Sequence, residues 1–103
     1  RFAETDAKMP LTILYNGGVF NTYEPKITPD VKLDCKQIAK GKTQCQGMAP
    51  KGETLALQVI FNVGTTFAKD QPISGKRWQG ACAGTTGEVC MLKMIEPKTV
   101  VID

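Results

Sequence analysis

Short runs of alternating apolar and polar residues dominate this chain, separated by clusters of Gly, Pro, Asn and Asp. The clearest run spans residues 54–61, where Leu55, Leu57, Val59 and Phe61 fall on one face of an extended strand. Ala56 and Ile60 occupy the other face, which predicts a central strand covered on both sides. Leu11, Ile13 and Tyr15 alternate in a first strand. Asn16-Gly17-Gly18 tolerates positive φ and reads as a turn, so residues 19–23 are expected to return as the second arm of a hairpin. Pro25 and Pro29 exclude a helix in the next stretch.

Residues 31–35 read as a short strand ending in Cys35. The segment 36–52 is rich in Lys, Gly and Gln and reads as a loop, with at most one helical turn at 37–40. Cys90, Leu92 and Met94 alternate onto one face, which sends Met91 outward, and residues 99–102 form the last strand. The predicted fold is all-β or β-dominated, a small β-grasp-like or β-sandwich domain. Six or seven short strands and at most one short helix are expected. Residues 1–9 lack periodicity and read as a flexible arm or linker, leaving 10–103 as a single domain.

Cys35, Cys45, Cys82 and Cys90 change this picture, because a domain of 103 residues buries a limited core and gains from cross-links. Four cysteines allow three pairings. The spacings C-x₉-C and C-x₇-C contain neither of the short knuckles that a Cys₄ zinc site uses, so no metal is expected. Adjacent pairing, Cys35 with Cys45 and Cys82 with Cys90, is favoured because each pair brackets a polar, Gly-containing segment able to return the chain on itself. Disulfides imply an oxidising compartment: bacterial periplasm, cell surface or the extracellular space. No N-x-[ST] sequon points to a eukaryotic glycoprotein. No apolar run is long enough for a membrane-spanning helix. Arg1-Phe2-Ala3 does not open an apolar leader, so an exported protein is expected to hold this chain after leader removal or as part of a longer chain.

Charge and composition then narrow the chemistry. The net charge of +3 is too small to argue for nucleic acid, and among the 13 basic residues only Arg1 and Arg77 are Arg. The chain has no His, which removes the commonest general base near neutral pH and the usual partner of a Ser or Cys nucleophile. Asp30, Asp34, Glu53, Asp70, Glu88 and Glu96 are scattered, and Ser74 has only Lys76 nearby. No catalytic residue and no cofactor are therefore expected.

Residues 64–101 carry a more specific pattern: Gly64-Thr65-Thr66-Phe67, then Trp78-Gln79-Gly80-Ala81-Cys82-Ala83-Gly84, then Cys90-Met91-Leu92-Lys93-Met94, then Lys98-Thr99-Val100. This resembles the divergent internalin-type B-repeat, a repeat module of bacterial surface and secreted proteins. The resemblance implies a compact β-domain of β-grasp type that serves as a spacer, stalk or adhesion module without shared catalytic residues. Two departures stand out. Nine residues separate the first two cysteines where the family has about three, and the segment between Phe67 and Trp78 is long. Both look like inserted loops, where specificity is expected to reside.

Candidate binding residues follow. Lys36, Lys40, Lys42 and Lys51 cluster in sequence around the first cysteine pair, either as a basic contact patch or as a solvated loop. Trp78 reads first as a core residue packed on the Cys82–Cys90 bridge, and alternatively as a partner anchor. The expected function is a non-enzymatic bacterial envelope or surface module giving structural support or adhesion through protein or glycan contacts. The alternatives are a stand-alone secreted binder, such as a periplasmic enzyme inhibitor or host-directed effector, and a pilus or secretion-system subunit that assembles by strand addition.

Overall fold

A computed structural model describes residues 8–16, 21–63 and 71–102, with backbone alone at 21–23, 61–63 and 71. The described residues form nine strands: β1 (Lys8–Asn16), β2 (Asn21–Thr28), β3 (Leu33–Ala39), β4 (Lys42–Pro50), β5 (Thr54–Val63), β6 (Gln71–Pro72), β7 (Trp78–Gly80), β8 (Cys90–Lys93) and β9 (Lys98–Ile102). The helical content is one 3₁₀ turn, Gly75–Arg77. The chain is thus all-β.

The strands form two sheets. The first has the order β3-β4-β1-β9-β7. In the second, β5 is central, with β2 on one edge and β6 and β8 sharing the other. Alternation decides which side chains meet between the sheets. Leu11, Ile13 and Tyr15 of β1 and Val100 and Ile102 of β9 are buried on the first sheet. Leu55, Leu57 and Val59 of β5, Ile27 of β2 and Leu92 of β8 are buried on the second. All belong to one core cluster, so the two sheets share a single interior and the architecture is a β-sandwich. Each such side chain contributes about 1.5–3 kcal/mol by leaving water.

Several expectations need correction. The strand that follows Asn16 does not fold back on β1. Both edges of β1 are already taken, by β4 antiparallel and by β9 parallel, and β2 crosses to pair with β5. Residues 17–20, where the expected turn falls, lie outside the described residues, as do 64–70 with Phe67. The segment 36–52 is no loop and 37–40 is no helical turn. β3 and β4 form an antiparallel hairpin turning at Lys40-Gly41, where Gly41 has φ 74°. Pro25 sits inside β2, which is tolerated because β2 is an edge strand. Lys8 and Met9, expected in a flexible arm, open β1 opposite Pro50 and Ala49.

The return from β2 to β3 depends on a glycine. A Cβ on Gly47 would stand 2.5 Å from the Lys32 carbonyl oxygen and 2.8 Å from Leu33 Cδ2. Residues 31–33 therefore cross directly over β4 at the point where it has no side chain, and this carries the chain from one sheet to the edge of the other.

Tyr15 is 2% exposed, and burial holds its phenol well above the ordinary value of 10.0. The folded state keeps the proton more tightly than the unfolded state. Stability is therefore complete below about pH 10 and falls as pH rises beyond it, with a slope of up to about 1.4 kcal/mol per pH unit. We expect the urea midpoint to fall more steeply between about pH 10 and 12 in the wild-type chain than in Tyr15→Phe. Parallel pH profiles for the two would show that Tyr15 ionises normally.

Candidate functional site

The sequence candidates divide between the two edges of the first sheet. At one edge, the β3–β4 hairpin places Cys35 directly opposite Cys45, and the two are disulfide-bonded. Cys45 is buried against the core while Cys35 is exposed, so the bridge anchors an edge strand to the body of the sheet. Side chains alternate across this hairpin. Leu33 and Cys35 share the inner face with Cys45 and Gly47, whereas Asp34 and Lys36 lie on the solvent face opposite Gln46 and Gln44.

Lys42 lies two residues from Gln44 on that same solvent face, so Lys36 and Lys42 are diagonal neighbours about 7–8 Å apart. Lys40 is exposed in the turn beside them. None of the three is ion-paired among the described residues. Three lysines of the sequence cluster thus share one end of a disulfide-held hairpin.

Lys51 does not join them. It lies in the β4–β5 turn, held by Gly52 N–H donating to the Met94 carbonyl at 2.8 Å and Met94 N–H donating to the Glu53 carbonyl at 2.8 Å. Eight residues of extended β4 separate it from Lys42, a distance of about 30 Å. The cluster in sequence becomes a pair of separate sites once the segment is a hairpin.

Sequence reasoning missed the remainder of this face. Gln44, Gln46, Thr12 and Thr99 continue it across β4, β1 and β9 through the pairs Gln44–Leu14, Gln46–Thr12 and Thr12–Thr99. It presents amides and hydroxyls beside the lysines. The signal available was the cysteine pair itself: a bridge between Cys35 and Cys45 requires the chain to reverse between them, and Gly41 offers the turn.

At the opposite edge, Trp78 begins β7 and is 1% exposed. Its indole Nε1–H donates to the Gly87 carbonyl at 2.9 Å. Trp78 sits beside Ile102, which sits beside Tyr15, so it extends the inner face of the sheet and offers no side-chain surface to a partner. Cys82, in the turn after β7, is disulfide-bonded to Cys90, the first residue of β8. This second bridge ties the first sheet to the second. Cys82 and Cys90 are both buried, and the loop 83–89 between them is pinned by the Trp78 hydrogen bond.

An open depression of about 620 Å³ lies between the edges β2 and β3, bordered by Lys26, Asp30, Lys32 and Cys35. No group of three His, Cys, Asp or Glu side chains suited to a metal ion occurs among the described residues. No helix among them is long and apolar enough to cross a membrane. Comparison with protein-family models, with curated proteins and with solved structures gives no match.

Proposed function

We propose that this chain is a non-enzymatic module of a bacterial envelope or surface protein, giving structural support or adhesion through protein or glycan contacts. The observation that carries this reading is the edge hairpin. A disulfide holds β3 to β4, and Lys36, Lys40 and Lys42 stand at its solvent end beside the Gln44 amide, without an ion-pair partner among the described residues. A rigid hairpin loses little conformational entropy on binding, so modest charge and amide contacts suffice for useful affinity. Two disulfides fit an oxidising compartment. The resemblance of residues 64–101 to the internalin-type B-repeat supports a spacer or adhesion role, and the absence of His from the sequence supports a non-catalytic one.

The test is binding to an immobilised acidic glycan, with heparin as the probe, and capture of partners from an envelope extract. The triple variant Lys36→Glu, Lys40→Glu, Lys42→Glu is expected to lose at least about tenfold in affinity, equivalent to ~1.4 kcal/mol. Lys51→Glu should bind as the wild type, because it lies at the far end of β4. Equal binding by the triple variant and the wild type would remove the hairpin as the contact surface.

A further inference from the structure

We infer that β3 is a self-complementary edge, through which two copies of this chain pair antiparallel about a two-fold axis at Cys35. The inference does not rest on the glycan or protein partner proposed above, although Lys36 belongs to both surfaces. It begins with the edges of the two sheets. β7 is three residues long, β6 two and β8 four, and β2 contains Pro25. Short strands and proline are the ordinary means of keeping an edge unpaired. β3 has seven residues, no proline, and an outer edge that no strand pairs among the described residues.

The backbone of β3 shows which groups are available. The Cα atoms of Cys35 and Cys45 are 3.9 Å apart, the spacing of a close pair that exchanges no hydrogen bonds. The N–H and C=O groups of Leu33, Cys35 and Gln37 therefore point away from β4, off the edge of the sheet, while those of Asp34 and Lys36 point into it. None of the three outward residues has another backbone partner among the described residues. The register shift between Gln37 and Ala39 ends the flat stretch, leaving residues 33–37 as the template.

Charge then selects the register. When Cys35 faces Cys35 of the second copy, Leu33 faces Gln37 and both outward pairs can exchange hydrogen bonds. In that register Asp34 of each copy faces Lys36 of the other, at the close positions where cross-strand side chains interact most strongly. Two opposite-charge pairs form, related by the two-fold. Shifting the axis to residue 36 sets Lys36 against Lys36, and shifting it to residue 34 sets Asp34 against Asp34. Both neighbouring registers are penalised by like charge. The same two residues that would repel a misaligned strand therefore specify one alignment of a second copy, and the two five-stranded sheets become continuous.

The test is sedimentation velocity over a concentration series, with charge-swapped variants. Asp34 and Lys36 are both exposed, so D34K and K36D are expected to fold as the wild type does, checked by circular dichroism. The wild-type chain should self-associate. D34K alone and K36D alone should each associate about tenfold more weakly, since each replaces two attractive pairs by two repulsive ones. An equimolar mixture of the D34K and K36D chains should recover wild-type association to within about threefold. Hydrogen exchange at high concentration should protect the amides of Leu33, Cys35 and Gln37, with those of Asp34 and Lys36 already protected in the dilute chain. A wild-type chain that stays monomeric, a strand from another protein being then the occupant of the edge, would overturn the proposal. So would single variants that associate like the wild type, or a mixture that does not recover.

Discussion

Trp78→Ala should lower the stability of the fold by about 3–5 kcal/mol, close to the whole stability of a domain of this size at its lower bound of ~5 kcal/mol. Trp78 is the largest fully buried side chain, and its removal leaves a void next to Ile102 in a row that continues to Tyr15. The void cannot close easily, because β7 is held by backbone pairing to β9 on one side and by the Cys82–Cys90 bridge beyond its end. Loss of the indole N–H also releases the Gly87 carbonyl, and with it the pin on the loop 83–89. Trp78→Phe separates the two contributions. It keeps most of the apolar volume and loses the hydrogen bond, whose acceptor lies on the exposed Gly87 and can turn to water, so the loss from that bond should be about 1 kcal/mol. Urea denaturation followed by far-ultraviolet circular dichroism is the appropriate measurement, because Trp78 is the single Trp and its fluorescence disappears with it. A cost below about 1 kcal/mol for the alanine variant would contradict the packing argument.

The second large effect is expected from Cys82→Ala with Cys90→Ala, at about 2–5 kcal/mol. Loop closure alone would rank the two bridges almost equally, since their sequence separations are 8 and 10. Their surroundings differ. Cys35 and Cys45 are already neighbours in the β3–β4 ladder, so the backbone holds them together without the bridge. Cys82 follows β7 of the first sheet and Cys90 opens β8 of the second, and no hydrogen-bonded ladder joins β7 to β8 among the described residues. Their bridge is the covalent tie between the two layers, with both sulfurs in the core. The Cys82/Cys90 double variant should therefore lose more stability than the Cys35/Cys45 double variant, measured as urea midpoints under the same conditions. The opposite order would show that hairpin edge, not sheet apposition, limits the fold.

The strands that pack the core were legible because burial on one face imposes alternation. Leu55, Leu57 and Val59 are all buried, as are Cys90, Leu92 and Met94, and Met91 is 62% exposed as its parity required. The β3–β4 hairpin was not legible by that rule. As the edge of the sheet it buries little: Lys36, Gln37, Ile38 and Ala39 are all exposed, so no apolar period marks it as a strand. Its signature lay in the two cysteines bracketing Gly41, which hydrophobic patterning does not record. The hairpin expected after Asn16 failed for another reason. A turn signal reports that the chain reverses, not which sheet receives it, and the choice was made by distant strands β4 and β9 that occupy both sides of β1. The lysine cluster was legible as composition and misleading as geometry, since distance along the chain becomes distance in space when the segment is extended.

The parallel pairing of β1 with β9 has a mechanical consequence. Leu11 to Tyr15 lie beside Lys98 to Ile102 in the same direction, so the chain enters this pair at Lys8 and leaves it at Ile102, toward the other end. Tension between those two points pulls β1 one way along its axis and β9 the other. Such a load shears the pair, straining its slanted hydrogen bonds together, whereas a hairpin pulled at its open end parts one bond at a time. Resistance to stretching is thus built into the adjacency of the first and last of the described strands.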